Sequence, residues 1–394
     1  MEKKASVSYR IYWVILIAIT LVGFSALGVR LIEGLRSTSL NSIVSWGLWV
    51  SIYIFLIGIS AGSFLLSTLV YVFGFKQFEK TGKIAVFTAL LSLLAGLGFI
   101  GIDLGHIERF FYVFISPNPT SVLTYVIFFY MLYIVLLVVE LWLLMRKKVS
   151  PSVVERDKKA VKILAILGIP TAIIVHGGTG SVFAVVKAQP YWFTPLFPLI
   201  FIISALASGG ALIAFIYAFW GKKDGDHASV TKGIAKIAAY FLIFDVVLIF
   251  LEFFITFYGK IPEGLNVLNI ITRGPNWWVF WILQILIGVI IPLIIIFSRA
   301  GRSPVWVGIA ALLIVIGVIG VRWNIVVPEL TATGFEGIME FFQDSRLSTA
   351  YAPSIIEWGS SIGIIGFIMI IFSLGYRKLP LINKTEEERS LDEE

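Results

Sequence analysis

Ten apolar stretches, each close to the length at which an α-helix crosses a bilayer, leave this chain few ways to fold. They fall at about 11–29, 46–75, 84–102, 120–145, 161–186, 196–220, 235–258, 276–298, 305–321 and 355–375. Most hold the roughly 20 residues a helix needs to pass the hydrocarbon core, and the ninth is the shortest. Composition agrees, since 58% of the 394 residues are hydrophobic and only 14% are charged, far from a water-soluble domain. The expected class is an all-α polytopic membrane protein. Its first apolar run has no small-residue cleavage site and reads as a true span.

The net charge of +7 does not point to nucleic acid, because the basic residues sort by loop. With the N-terminus inside, 23 of the 31 Lys and Arg residues fall on inner segments and 8 on outer ones. The positive-inside rule then places both termini in the cytoplasm and the chain in the cell membrane. Outer segments receive residues 103–109, the Pro117-Asn118-Pro119 turn and residues 190–198, 273–278 and 322–353. The acidic stretch 386–394 reads as a flexible cytoplasmic tail.

Cysteine is absent, and the histidines are His106, His176 and His227, the last placed in the charged loop 221–232. Iron–sulfur clusters need thiolates and a bis-histidine haem needs paired intramembrane histidines, so no redox metal is expected in this chain.

A repeat organises the spans. The second carries Gly58, Ser60, Ala61, Gly62 and Ser63, and the sixth carries Ala207, Ser208, Gly209, Gly210 and Ala211. Pro117-Asn118 precedes the fourth span and Pro275-Asn276 the eighth. An offset of four helices keeps direction, so the repeats are parallel rather than inverted. The expected divisions are an N-terminal extra span (1–45), two four-helix bundles (46–190 and 191–330), an outer loop with the last span (331–375) and the tail (376–394). Small residues would let the bundles approach closely.

Few ionisable residues lie at membrane depth, where they are costly and tend to serve function. Residues 103–109 (Asp-Leu-Gly-His-Ile-Glu-Arg) crowd four of them at the end of the third span. If the helix continues, Asp103, His106 and Arg109 share one broad face and Glu108 projects elsewhere. A carboxylate beside an imidazole can pass protons, yet helix-end charges can equally snorkel and anchor the span. His176, in His-Gly-Gly-Thr-Gly-Ser, falls in the outer half of the fifth span, its glycines leaving room for a ligand or a neighbouring helix. The alternative is an imidazole bonding a carbonyl of the next helix.

Asp245 and Glu252 lie seven residues apart and face the same way, a ladder suited to proton movement, or else each pairs with an arginine such as Arg322 or Arg273. Arg322, Trp323 and Asn324 close the ninth span at the outer face. Trp46, Trp49 and Tyr53 begin the second span, where aromatics more often form an interfacial belt than a ligand cage. Glu140 is expected to make an interface pair near residues 146–148. Glycine runs inside apolar spans, with no strand before them, exclude a nucleotide loop.

With these residues in view, the chain resembles the NrfD/PsrC family, the quinone subunits of polysulfide-reductase-type complexes, and its ten-helix HybB/DsrP-like branch in particular. The matching pieces are Ile59-Ser60-Ala61-Gly62-Ser63, Asp103-Leu104-Gly105 with Arg109, Pro117-Asn118-Pro119, His176 with Thr179-Gly180, Trp192, Ser208-Gly209, Gly274-Pro275-Asn276-Trp277-Trp278 and Arg322-Trp323-Asn324. The resemblance implies a menaquinone or ubiquinone site near the outer face, bound as substrate, with electrons passing to or from a ferredoxin-like iron–sulfur subunit docked there. Further redox subunits would complete an anaerobic respiratory complex. Proton-active roles carry over to Asp103, His176 and Asp245. Tyr53, Trp49, Arg109, Glu252, Arg322 and Asn324 complete the candidate quinone-binding set, with His106 and Glu108, which stand where many relatives carry other residues. His176, Asp103 and Arg322 would approach one quinone head from three spans, and quinol oxidation is the expected direction. Two other classes compete: an ion- or proton-coupled secondary transporter, which would more often show inverted repeats and broken helices, and a purely structural anchor, which Asp245 and His176 disfavour.

Overall fold

The computed structural model describes residues 7–146, 150–332 and 347–381, which are predominantly helical with no strand among the described residues. The acidic tail, residues 333–346 of the expected outer loop, and Lys147 and Lys148 lie outside them. Ten helices are long and apolar enough to cross a membrane, as expected of a multi-pass integral membrane protein. In chain order they are α1 (Val7–Glu33), α2 (Leu48–Tyr71), α3 (Glu79–Asp103), α4 (Val122–Met145), α5 (Pro151–Ala184), α6 (Leu196–Trp220), α7 (His227–Gly259), α8 (Val279–Phe297), α9 (Pro304–Thr331) and α10 (Ile355–Lys378).

Burial ranks the helices. The apolar window of α2 is 89% buried and that of α1 only 22%, so α2 is central and α1 peripheral. On α1, Ile11, Val14, Leu21 and Val22 are exposed, as befits a surface turned to lipid. Helices α2 to α5 close into one four-helix bundle and α6 to α9 into a second. The two meet along α2 and α6, where the small-residue patches face each other. A Cβ on Gly62 would lie 1.8 Å from the Ala205 carbonyl oxygen, and one on Gly209 would lie 2.4 Å from the Ser63 nitrogen. Backbones come this close only where side chains are missing. The first and last spans pair with each other in the same way, a Cβ on Gly23 lying 2.1 Å from the Gly363 Cα.

The connections around residues 72–78, 221–226 and 298–303, with Arg146 and Ser150, share one end of the molecule, here termed the basic face, and the opposite end is the far face. Several elements differ from expectation. Helix α9 continues to Thr331, because Arg322 and Asn324 find buried surroundings and need not end the span. Helix α3 stops at Asp103, with Leu104 already extended at φ −63°, ψ 128°. His227 opens α7 instead of lying in a loop, its Nε2 3.0 Å from the Tyr217 carbonyl oxygen. An amphipathic helix, Pro262–Arg273, precedes α8 on the far face and buries Val267, Leu268 and Ile271. Residues Val279–Ile290 of α8 wind with π-type bonding, a form that recurs at functional positions.

Candidate functional site

The π-wound stretch and the buried length of α9 together carry polar side chains into the second bundle beside α5. Arg322 is fully buried, and its guanidinium lies 4.6 Å from the centre of the Phe201 ring. Its Nη2 is 3.5 Å from Nε2 of His176 on α5, itself 1% exposed. The imidazole packs against Phe201 with ring centres 5.4 Å apart. Room for it comes from α2: a Cβ on Gly58 would stand 3.1 Å from both Cε1 and Nε2 of His176. The glycines after His176 serve neighbouring helices instead, Gly180 lying against Phe197 and Pro198 and Gly178 against Val126. Asp245 on α7, 1% exposed, sits beside Ser204 and supplies the carboxylate nearest in charge to Arg322.

These groups carry unused hydrogen-bonding capacity. Among the described residues, Arg322 Nε and Nη1, His176 Nδ1 and Asp245 Oδ1 are buried without a well-formed hydrogen bond. The imidazole also faces the Phe201 backbone of the next helix, the alternative expected from sequence, and Asp245 faces the Ser204 hydroxyl. Buried polar atoms are nearly always paired, so such a concentration marks a place where water or a ligand completes the set. A file of aromatic rings leads from it toward the far face: Phe201, Phe183, Trp192 and Trp46, with successive centres 5.9, 5.0 and 5.8 Å apart. Trp192 is fixed by a 2.6 Å hydrogen bond from its indole to the Ile325 carbonyl.

Two polar groups adjoin the cluster. Tyr53 of α2 bonds Tyr130 at 2.6 Å, and Tyr130 bonds Thr179 at 2.8 Å, one turn beyond His176. On the other side Asn324 donates to Gln284 at 2.8 Å, and Glu252 accepts from Thr194 at 3.0 Å. Gln284, Asn324, Glu252 and Tyr191 line a cavity of about 20 Å³, enough for about one water. Burial, followed by the nearby Glu252 and Glu329 carboxylates, pushes the Tyr191 hydroxyl above its ordinary pKa. Glu252 thus pairs with a threonine, not with Arg322 or Arg273. Gln284 and Glu329 escaped the sequence reading; the signal available was a lone amide and a lone acid inside apolar helices.

The residues near the end of α3 divide. Arg30 of α1 caps that end, donating from Nε to the Ile102 carbonyl at 2.9 Å and from Nη2 to the Leu104 carbonyl at 2.6 Å, so its charge offsets the carbonyl end of the helix and Asp103 together. Asp103 is 8% exposed with Oδ1 unpartnered. Nearby, Glu357 accepts from the Tyr351 hydroxyl and from Ser39 N, while Trp49 donates to the Glu357 carbonyl at 3.2 Å. Burial and then the Glu357 carboxylate raise the Tyr351 hydroxyl well above its ordinary pKa. Trp49 and Tyr53 are buried, so they form no interfacial belt.

Because α3 ends at Asp103, Asp103, His106 and Arg109 do not share a helical face. His106, Glu108 and Arg109 are exposed at the far face, His106 Nδ1 lying 2.8 Å from Glu108 Oε1 and Arg109 Nε 4.0 Å from the same oxygen. Glu108 is held below the usual carboxylate range by its own backbone amide and then by His106. On α2, Trp49 and Gly58 are nine residues apart, about 13 Å along the axis, so the Asp103 group stands one level above His176. Glu140 does not pair with Arg146, which binds Asp157 instead; it is fully buried and, among the described residues, neither of its oxygens is hydrogen-bonded, while Lys147 and Lys148 of the expected pair lie outside them.

Residues 36–333 match the family model described as polysulphide reductase, NrfD, which is most of the chain and includes His176, Asp245 and Arg322. The chain belongs to the NrfD family. Among relatives of this NrfD-family chain, a selenate reductase subunit of Mesobacillus selenatarsenatis is 42% identical, with 96% of each chain covered. The Hdr-like menaquinol oxidoreductase integral membrane subunit of Archaeoglobus fulgidus is 28% identical over 98% of this chain and 97% of its own. The menaquinone reductase integral membrane subunit of Nitratidesulfovibrio vulgaris is 25% identical over 91% and 88%. This NrfD protein is therefore similar, over nearly its whole length, to a selenate reductase subunit and to integral membrane subunits of a menaquinol oxidoreductase and a menaquinone reductase.

Proposed function

We propose that this chain is the quinone-reactive subunit of an anaerobic respiratory complex, oxidising menaquinol or ubiquinol and passing its electrons to an iron–sulfur partner at the far face. The observation that carries the reading is the buried cluster of His176, Arg322 and Asp245, whose unpartnered atoms lie at the foot of the aromatic file. Names of two relatives, menaquinol oxidoreductase and menaquinone reductase subunits, point to the same substrate class.

The donor set suits a quinone head. Arg322 Nε and Nη1 can donate to one ring oxygen and His176 to another, while Phe201 offers an apolar face. Quinol oxidation yields two electrons and two protons. His176 and Asp245 would take protons from the hydroxyls, the Arg322 charge holding Asp245 ionised beforehand and so ready to accept one. Asp103, one level above, would hand protons toward the far face, and Tyr53 and Tyr130 would orient the His176 end. The adjoining cavity of about 20 Å³ is too small for a ring, so a head group enters only as side chains swing aside. Glu252, Asn324 and Gln284 border that opening. With the basic face cytoplasmic, both termini lie inside and the exposed His106, Glu108 and Arg109 are offered to the partner subunit.

The test is quinone content and quinone-analogue binding of the purified complex, comparing wild type with His176→Ala. Loss of one hydrogen bond should weaken binding about 3- to 10-fold with assembly intact. Absence of quinone and of analogue binding in the wild-type complex would turn the assignment toward a transporter or a structural anchor.

A further inference from the structure

The basic face holds a cavity that the quinone reading does not use. Its volume is about 410 Å³, within the roughly 300–1,000 Å³ of small-molecule sites, and it opens between the ends of α2, α3, α4 and α5. Five lysines line it, Lys76, Lys80, Lys83, Lys158 and Lys162. Two acids share the lining, but Asp157 is bound by Arg146, and Lys80 is in turn engaged by Asp224 at 2.7 Å and Asp226 at 3.1 Å. Lys83 donates to the Pro380 carbonyl at 3.1 Å, and these contacts leave Lys76, Lys158 and Lys162 facing one carboxylate, Glu79.

The deeper wall is apolar. Leu143, Leu144, Val161 and Leu381 are buried there, with Val70 beside them. Helix α5 explains the level. Its 34 residues span about 51 Å, well beyond the roughly 30 Å hydrocarbon core, so its first turns stand among lipid headgroups. Lys158 and Lys162, four residues apart on those turns, project from one face. A site that is cationic at headgroup depth and apolar deeper in has the polarity of a phospholipid, not of a soluble metabolite.

We propose that this cavity binds the phosphate-bearing headgroup of an anionic phospholipid, with Lys76, Lys158 and Lys162 on the phosphate and an acyl chain along Leu143, Leu144 and Val161. A free phosphate would satisfy the lysines but leave the apolar wall unused, and this difference separates the two sources.

The test uses the full chain with its partner subunits in phosphatidylcholine nanodiscs containing a minor fraction of phosphatidylglycerol. Retained phosphatidylglycerol per chain is read by mass spectrometry. Wild type and a control altered at other lysines of the basic face (Lys223→Gln with Lys232→Gln) should retain it. Lys158→Gln with Lys162→Gln should bind about 25-fold more weakly, two lysines at about a factor of five each. Lys158→Arg with Lys162→Arg should restore retention and so exclude misassembly. Equal retention in the Gln variant and wild type would overturn the proposal. So would full displacement by inorganic phosphate, which would make this a free-anion site. A gain of lipid only after Glu386→Gln, Glu387→Gln and Glu388→Gln would assign the cavity to the acidic tail and overturn it as well.

Discussion

A guanidinium that reaches no solvent and leaves Nε and Nη1 without partners is costly to bury, so whatever lies near Arg322 must compensate it. Asp245 supplies charge and Phe201 a ring face. Replacing Asp245 with Asn keeps shape and burial but removes both the countercharge and a proton acceptor. Turnover of the assembled complex should fall at least about 100-fold, the usual contribution of a positioned base, while quinone-analogue affinity changes several-fold at most. Unchanged turnover would remove Asp245 from proton transfer. Glu140 offers the opposite case. Its carboxyl is fully buried with neither oxygen paired, which costs roughly 1–3 kcal/mol. Glu140→Leu, close in volume, should therefore raise the thermal midpoint of the purified protein, and a lowered midpoint would mean that the acid has a partner it depends on.

At the scale of elements, the α2–α6 crossing decides whether the bundles meet. Gly62→Ala would drive a methyl to 1.8 Å from the Ala205 carbonyl oxygen, a contact between backbones that no rotamer relieves. Destabilisation of about 1–3 kcal/mol is expected, whereas Gly98→Ala on α3, with nothing within 4 Å, should be neutral or stabilising. Thermal denaturation of both variants in detergent checks the pair. This crossing was legible in sequence because small residues at matching depth in two parallel spans have few other uses. The α3 end was not. Nothing local to residues 103–109 announces that Arg30, from the far end of α1, takes the Ile102 and Leu104 carbonyls and stops the helix. The length of α9 was hidden for the reverse reason, since Arg322 reads as a span terminus until His176, Phe201 and Asp245 surround it. A second latch, Lys80 to Asp224, ties α3 to the loop before α7. The hydrogen bond from Lys80 holds Asp224 below the usual carboxylate range. A depressed folded pKa gives stability that is present above the ordinary Asp value of about 3.9 and lost as pH falls through the lower folded one. The midpoint difference between wild type and Lys80→Gln should accordingly shrink on acidification below that value, and a difference independent of pH would mean that the latch is not electrostatic.

For the whole molecule, the two proposed sites lie toward opposite faces, and both readings depend on which face is cytoplasmic. The quinone cluster and the exposed His106, Glu108 and Arg109 belong to the far face, and the lysine-lined cavity belongs to the basic face. Charge sorting argues for the basic face inside, because 17 of the 24 described cationic residues fall on that side. The absence of cysteine makes this directly measurable, since any single introduced thiol is the only one in the chain. Glu108, with a side chain 69% exposed, and Lys223, also exposed, sample the two ends without touching either site. In intact cells that express this chain without its partner subunits, a membrane-impermeant thiol reagent should label the Glu108→Cys variant at once and the Lys223→Cys variant only after permeabilisation. The reverse pattern would turn the molecule over: the iron–sulfur partner would then dock from the cytoplasm and the lysine cavity would face the outer leaflet, while the internal geometry of His176, Arg322 and Asp245 would stand unchanged.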